Sequence, residues 1–317
     1  MKRSTALLTL GAAAFPYRGG AQTLTKLRVG QPPGTASAVV IYAQQAGLMR
    51  KYGLDVDLQK MGSGTSIISA LAGGSLDIGN GSTFAVVTAY AHGLPLQILA
   101  SGPVYDASES NPYGMLLVGK NSPLKTAADL NGKTIGLSSA RGDLNAVATQ
   151  AWVEQHGGDW SSIHVLEIPQ PAMVAALDAG RIDAFTVQSP TTAIAMSSGK
   201  VRLLGRPYDA VARHFSIASW YGMSKWASEN PQTLRAFEQA VGEASRYANT
   251  HWDEMLPIMA SFSGVETSVL AAAARAPFTD HADPADFQPL IDLEVKYKVI
   301  DHGFDAKDFI APSALKR

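Results

Sequence analysis

The sequence of 317 residues contains no cysteine. A chain without thiols has no disulfide framework, no Cys-ligated zinc or iron–sulfur site and no cysteine nucleophile. Charge is also scarce, because charged side chains make up 17% of the residues and 26 basic side chains stand against 27 acidic ones. A protein that binds nucleic acid carries a basic face or stripe, so this balance argues against that class.

Sequence signatures of catalysis and of metal binding are missing as well. The 7 histidines do not occur at metal-ligand spacings such as HxxxH. The chain has no GxSxG elbow, no GxxxxGK[ST] phosphate loop and no GxGxxG after a strand pattern. We therefore expect no catalytic residue, no metal and no cofactor. An enzyme is unsupported by these patterns rather than excluded by them.

The first 21 residues have the pattern of a secretory signal peptide. A basic pair at residues 2–3 precedes a largely apolar run over residues 6–15, and residues 19–21 offer the small side chains that a signal peptidase accepts. The alternative is a buried N-terminal helix, but nothing caps it and Pro16 interrupts it. The run is too short for a membrane span, which needs about 20 apolar residues. We expect cleavage after Ala21 and export to the periplasm.

Strand and helix patterns alternate along most of the remaining chain. One series runs over residues 27–100, with a helix expected over residues 38–50, and a second series runs over residues 115–204. Strands that alternate with helices of 10–15 residues indicate βαβ units and parallel pairing. Helical patterns dominate over residues 220–309. The sequence therefore predicts two α/β lobes followed by a helical region, which suits a chain of this length.

The loops between the strands and the following helices carry small residues, many of them hydroxylated. In an open parallel sheet such loops gather at the carboxyl ends of the strands, where ligands bind. Helix N-termini at that edge favour an anion through their free N–H groups and their dipole. For any single hydroxyl the alternative is plain helix capping. Taken together, the loops predict a ligand cleft, and the small residues assigned to it are Thr35, Ser37, Ser63, Gly81, Ser82, Ser139 and Thr186.

Larger side chains complete the candidate cleft. The planar guanidinium of Arg141 can hold a carboxylate, a sulfonate or a phosphonate through two hydrogen bonds, with a local ion pair or a solvent-facing side chain as the alternative. Asn80 and Gln188 carry amides that can bond a ligand or serve their own loops; for Asn80, tolerance of a positive φ is a further alternative. Phe84 and Tyr105 adjoin the cleft loops and are candidates to flank an organic ligand, although most aromatic side chains are core.

Five segments, taken in order, resemble a known family. They are LRVG with a following PG (27–34), AGLMRKYGLDV (46–56), ALAGGSLDI (70–78), DLNGKTIG (129–136) and AALDAGRIDA (175–184). Together they resemble the solute-binding proteins of bacterial ABC importers, in the sulfonate/taurine/nitrate-binding and thiamine-precursor-like group. These segments are mostly scaffold, so they do not choose a ligand within the group.

The resemblance implies an α/β, two-lobe periplasmic-binding-protein fold of the cluster type, in which the chain crosses twice between lobes. Each lobe is then a mostly parallel sheet flanked by helices. We place the crossings near residues 105–113 and 214–220. Lobe one then comprises residues 27–110 plus 219–317, and lobe two comprises residues 111–218.

The resemblance also implies a function. The protein is expected to be a monomeric, non-enzymatic periplasmic receptor that closes by hinge motion over a small-molecule ligand and delivers it to an ABC permease in the inner membrane. We favour a small organic anion, either a sulfonate such as taurine or a carboxylate, aromatic carboxylates included. The alternative ligand is a neutral heteroaromatic such as a pyrimidine, stacked on Phe84 or Tyr105. An enzyme on the same fold is the remaining alternative, although the enzymatic relatives use a cysteine-rich motif and this chain has no cysteine.

Overall fold

A computed structural model describes residues 23–32, 37–109, 113–139 and 142–315. The predicted signal peptide, Thr35 and Arg141 lie outside the described residues. In chain order the strands are β1 (Thr25–Gln31), β2 (Leu54–Lys60), β3 (Ile78–Ser82), β4 (Leu96–Ser101), β5 (Val104–Asp106), β6 (Gly114–Gly119), β7 (Thr134–Leu137), β8 (His164–Glu167), β9 (Ala184–Gln188), β10 (Val201–Gly205), β11 (His214–Ser216) and β12 (Ala218–Met223).

The helices cover the faces of two sheets. In chain order they are α1 (Ala38–Gln45), α2 (Leu48–Lys51), α3 (Gly64–Ala72), α4 (Thr83–Ala91), α5 (Leu144–Gln155), α6 (Met173–Asp178), α7 (Thr191–Ser197), α8 (Ser224–Glu229), α9 (Pro231–Thr250), α10 (Trp252–Ser263), α11 (Thr267–Ala272) and α12 (Pro284–Lys296). Across the described ranges, none of them combines the length and the apolar character that a bilayer span requires.

The two sheets share one topology. The first has the order β2-β1-β3-β12-β4, and β12 runs antiparallel to both of its neighbours. The second has the order β10-β6-β9-β7-β8, and β6 is the reversed strand. In each sheet the reversed strand is the first one after the chain arrives from the other lobe. The remaining strands of each sheet point the same way, so the prediction of mostly parallel sheets is confirmed.

The two passages between the sheets form a small ribbon of their own. β5 and β11 pair antiparallel, with Tyr105 opposite Phe215. We call the first sheet with its helices lobe one and the second sheet with its helices lobe two. The pair of β5 and β11 is the crossing ribbon. Because just two short strands connect the lobes here, the ribbon is the place where a hinge motion can occur.

The helix predicted over residues 38–50 is divided into α1 and α2. The break falls at Gly47, whose φ of +74° lies in the left-handed region that glycine adopts without steric cost. The result is a short α1 that begins at Ala38, directly after its N-cap residue Ser37.

The helical region that follows β12 returns to lobe one. Pro231 occupies the first turn of α9, where its missing N–H costs nothing, and the helix then runs to Thr250. Its apolar face is buried in the core of lobe one, where the ring centroids of Phe237 and Trp220 lie 5.5 Å apart. The last long helix, α12, packs against both α4 and β11. It therefore connects the core of lobe one with the crossing ribbon.

Candidate functional site

A cavity of about 340 Å³ lies where both sheets present the carboxyl ends of their parallel strands. This is the edge at which open α/β sheets bind ligands, and the volume suits a small molecule. Lobe one and the start of β12 contribute Pro32, Asn80, Gly81, Ser82, Ile217 and Ala218. The polar lining from lobe two includes Ser138, Asp143, Asn145, Gln170, Gln188, Ser189 and Thr191.

The wall from lobe one is built on the glycine pattern of β3. A Cβ at Gly79 would lie 2.4 Å from the Cγ2 atom of Ile67, and one at Gly81 would lie 3.0 Å from the Tyr221 hydroxyl. Both glycines thus allow close packing on one face of the strand. Asn80 lies between them and its side chain projects from the other face, because side chains alternate along a strand.

Asn80 offers a hydrogen-bond acceptor at this wall. It is 0% exposed, and its Nδ2 atom donates to the carbonyl of Ser219 over 3.1 Å. Its Oδ1 atom is buried and has no hydrogen-bond partner among the described residues. Asn80 is not among the positive-φ residues of the described chain, so backbone tolerance does not explain its presence. A buried amide oxygen without a partner is costly, and a ligand donor would remove that cost.

The N-terminus of α4 borders the same wall. Ser82 occupies its N-cap position but makes no capping hydrogen bond through its side chain. Thr83 anchors the helix start, because its N–H donates to the carbonyl of Ile217 over 3.1 Å and its hydroxyl lies 2.8 Å from the Ser216 hydroxyl. The positive end of the helix dipole is therefore held against the cavity without a side-chain cap, an arrangement that favours an anion.

The N-terminus of α5, from lobe two, has the opposite character. Asp143 caps it by accepting from the N–H of Ala146 over 2.8 Å and from the hydroxyl of Ser138 over 2.9 Å. Burial raises the pKa of Asp143, and its hydrogen bonds oppose that shift. Asp143 is the one carboxylate among the described cavity residues. Since a negative group already occupies this helix end, an anion is better placed at α4 than at α5.

Two amides from lobe two face the cavity in a defined orientation. The Tyr208 hydroxyl donates to Asn145 Oδ1 over 3.0 Å and to Gln188 Oε1 over 3.1 Å. Because Tyr208 engages both amide oxygens, the NH₂ groups of Asn145 and Gln188 remain as neutral donors.

Four of the residues predicted from the sequence line this cavity, namely Asn80, Gly81, Ser82 and Gln188. The other predicted hydroxyl residues that the structure describes do not line the cavity. Ser37 is buried and donates to the carbonyl of Pro32 over 3.0 Å. Ser63 is exposed and forms a capping box at α3, and Thr186 is buried 2.7 Å from the Thr149 hydroxyl. Ser139 follows the lining residue Ser138 but does not line the cavity itself.

The two aromatic candidates do not line the cavity either. Phe84 and Tyr105 are each 1% exposed and belong to the core around the crossing ribbon. Tyr105 lies on a crossing strand, where its hydroxyl donates to Asp209 and accepts from Arg206. Burial, foremost, raises the pKa of Tyr105 to about 12. Neither ring offers a face for stacking a ligand, because packing covers both.

Several lining residues were missed by sequence reasoning. Nothing in the sequence singled out Asn145, because polar residues are common in the first turn of a helix. Tyr113, the aromatic residue of the cavity wall, precedes a buried strand and resembles core. Asp143, two residues after Arg141 in the sequence, was not among the predicted lining residues. The described residues contain no group of three or more His, Cys, Asp or Glu side chains placed to hold a metal ion.

The paired sheets, the double crossing and the cavity between the lobes define the periplasmic-binding-protein fold, as predicted. The chain belongs to the NMT1/THI5 like family, whose match extends over residues 35–255. The family resemblance inferred from the five segments is thereby confirmed.

Relatives and solved structures agree with this assignment. The chain is 22% identical over 264 residues to the putative aliphatic sulfonates-binding protein of Escherichia coli (strain K12), covering 83% of this chain and 78% of that protein. It is 25% identical over 247 residues to the taurine-binding periplasmic protein of the same organism, covering 77% and 71%. The crystal structure of the periplasmic aliphatic sulphonate binding protein SsuA from Escherichia coli has a TM-score of 0.75, with 21% identity, and covers 92% of this chain and 94% of that one.

Proposed function

We propose that this protein is the periplasmic solute-binding receptor of an ABC importer, and that it holds a small organic anion between its lobes. The observation that carries the proposal is the N-terminus of α4, which borders the cavity without a side-chain cap and is held there by Thr83. Similarity to proteins named for sulfonates and for taurine supports a sulfonate, with a carboxylate as the related possibility.

The cavity suits binding by oriented dipoles rather than by paired charges. The end of α4 attracts the anionic group, and the NH₂ groups of Asn145 and Gln188 donate to its oxygens from the opposite lobe. A ligand that touches both lobes binds the closed form better than the open form, and this difference in affinity drives closure. The crossing ribbon is the hinge, and the closed receptor is the form that delivers the solute to the permease.

The ligand also carries a hydrogen-bond donor, such as an amino group. Asn80 Oδ1 and the Asp143 carboxylate are both acceptors at the cavity wall, and an anion without a donor would leave the first unpaired and be repelled by the second. We therefore place the ligand among the aminoalkanesulfonates and the corresponding amino acids. We assign this chain as a receptor rather than an enzyme on the same ground. The cavity groups named above account for binding of a solute, and the proposal requires no chemical reaction of that solute.

Thermal unfolding in the presence of candidate solutes tests the ligand class. A two-carbon aminosulfonate, the matching alkanesulfonate without an amine, a benzoate-like acid and a pyrimidine would be compared at equal concentration. At about 100 times Kd a ligand adds about 2.7 kcal/mol, which raises the Tm of a chain of this size by roughly 4 °C. We expect the largest rise with the aminosulfonate. A rise with the pyrimidine alone, or product formed from any of these solutes, would overturn the proposal.

The variant Asp143→Asn tests the donor on the ligand. Asparagine caps a helix as well as aspartate does, so the fold should hold while the charge is lost. We expect calorimetry to show about a tenfold weaker affinity for the aminosulfonate, equal to about 1.4 kcal/mol, and a stronger affinity for the alkanesulfonate that lacks the amine. Asp159→Asn is the matched control, because Asp159 caps a 3₁₀ turn of lobe two away from the cavity. Equal losses for both solutes would show that Asp143 acts through structure alone.

The variant Arg141→Ala tests the arginine predicted from the sequence. Loss of a charge-assisted hydrogen bond to an anion should weaken binding by roughly 10- to 100-fold. Arg181→Ala, which removes an exposed arginine from the loop after α6, is the control and should leave affinity unchanged. Unchanged affinity in Arg141→Ala would remove that residue from the site, and α4 and the amides would then account for the anion.

A further inference from the structure

Tyr208 lies beside the cavity without lining it. It belongs to the 3₁₀ turn Pro207–Ala210 that precedes β11, and it is 0% exposed. Its ring centroid lies 5.5 Å from that of Tyr105 on β5 and 5.7 Å from that of Phe215 on β11. The ring therefore packs against both strands of the crossing ribbon.

The neighbouring strand is shaped to receive this ring. Gly114 opens β6, and a Cβ there would lie 2.8 Å from the Cδ1 and Cε1 atoms of Tyr208, so no other residue fits without a shift. Gly114 is also the register partner of Gln188 in the sheet. Tyr208 thus lies over the pair of β6 and β9, and β9 ends in the cavity amide of Gln188. The helix α5, which carries Asn145, packs against the 3₁₀ turn of Tyr208.

The single hydroxyl proton of Tyr208 is shared between two amide oxygens, those of Asn145 and Gln188. An amide that turns by 180° exchanges its donor and acceptor, so its orientation decides what it offers a ligand. Without the hydroxyl, no group on the Tyr208 ring would distinguish an amide oxygen from an NH₂ group, so each amide could adopt either orientation.

We propose that Tyr208 is a positioning residue: it holds the amides of Asn145 and Gln188 as donors toward the ligand and ties them to the crossing ribbon. It contributes to affinity and to the preference for an anion although it never touches the solute. The part of this inference that concerns the ligand rests on the proposed function, whereas the orientation of the amides does not.

Side-chain amide signals in the NMR spectrum of the ligand-free protein test the orientation directly. In the native protein we expect two NH₂ pairs, assigned through Asn145→Asp and Gln188→Glu, with chemical shifts set in part by the hydrogen bond that each amide oxygen accepts from Tyr208. In Tyr208→Phe we expect both pairs to move away from these shifts. Tyr297→Phe is the matched control, because the Tyr297 hydroxyl donates over 2.9 Å to Glu154, near the other end of α5. Signals unchanged in Tyr208→Phe would overturn the proposal.

A double-mutant cycle tests the consequence for binding, with the two-carbon aminosulfonate as the probe. We expect Tyr208→Phe to weaken affinity about tenfold in the native background and by roughly threefold in Gln188→Leu, because one of the two amides that Tyr208 holds is then absent. Tyr297→Phe should leave affinity unchanged. A full tenfold effect in both backgrounds would reduce Tyr208 to a structural role. If the native protein binds no probe, the proposed function fails, and the NMR comparison still decides the role of Tyr208.

Discussion

Replacing Gly102 with alanine should lower the free energy of unfolding by about 3 kcal/mol, at the upper end of the range for overpacked sites. Gly102 joins β4 to β5 at the first crossing, and a Cβ there would lie 2.4 Å from the carbonyl oxygen of Ala218 and 3.1 Å from its carbonyl carbon. Both are backbone atoms of β12, whose pairing with β3 and β4 prevents them from yielding as a side chain would.

The same substitution should also weaken ligand binding. Ala218 lines the cavity and is the register partner of Ser82 at the N-terminus of α4. A shift of β12 by a few tenths of an ångström would therefore move the wall that holds the anion. We expect weaker binding together with lower stability, which separates Gly102→Ala from a variant that destabilises at a distance.

Urea unfolding, with calorimetry for the ligand, measures both effects. Gly64→Ala is the matched control: Gly64 is the first residue of α3, and a Cβ there meets nothing within 4 Å. Alanine has the higher helix propensity, so this control should be neutral or slightly stabilising. If Gly102→Ala unfolded at the same urea concentration as the native protein, the close approach of β12 to the first crossing would not be the constraint described above.

The part of the site that could be predicted from the sequence is the part that follows from topology. Asn80, Gly81 and Ser82 end β3, and Gln188 ends β9, so the rule that ligands bind at the carboxyl ends of parallel strands was sufficient to find them. The rule says where a strand ends and needs no knowledge of packing. The alternation of strand and helix patterns was likewise sufficient to predict an α/β fold, because it depends on local periodicity alone.

The part that could not be predicted depends on contacts between distant segments. Tyr105 and Phe84 adjoin cleft loops in the sequence, yet the side of the backbone that faces the cavity is decided by how the crossing ribbon packs. Tyr208 and Asn145 are 63 residues apart and meet only in the folded protein. The insertion of β12 between β3 and β4 is likewise a long-range pairing, which no local sequence pattern predicts.

Glu294 makes the stability of the protein depend on pH in a direction that its environment predicts. It lies on α12, is 0% exposed and accepts a hydrogen bond of 2.7 Å from the hydroxyl of Thr88 on α4. Its Oε1 atom is buried without a partner among the described residues. Burial, opposed in part by the bond from Thr88, raises the pKa of Glu294 from 4.5 to about 8.

The sign of the effect follows from the two titrations. Between pH 4.5 and about 8 the unfolded chain has lost this proton while the folded protein retains it, so unfolding releases a proton. Stability from this group is therefore highest at and below pH 4.5, falls as the pH rises and levels off above about 8. At roughly 1.4 kcal/mol for each pH unit, the loss is on the order of 4 kcal/mol.

Glu294→Gln should remove this dependence, because glutamine keeps an acceptor for Thr88 and cannot ionise. We expect its Tm to match that of the native protein near pH 5 and to exceed it by roughly 6 °C near pH 8. Glu229→Gln is the control, since Glu229 is exposed and pairs with Lys225 at the surface, and its Tm should follow the native curve throughout. Parallel curves for Glu294→Gln and the native protein from pH 5 to 8 would show that the carboxyl is already ionised at neutral pH. Thr88 belongs to α4, the helix that borders the cavity. Ligand affinities of the native protein and of Glu294→Gln, measured over the same pH range, would therefore show whether affinity follows the titration of Glu294.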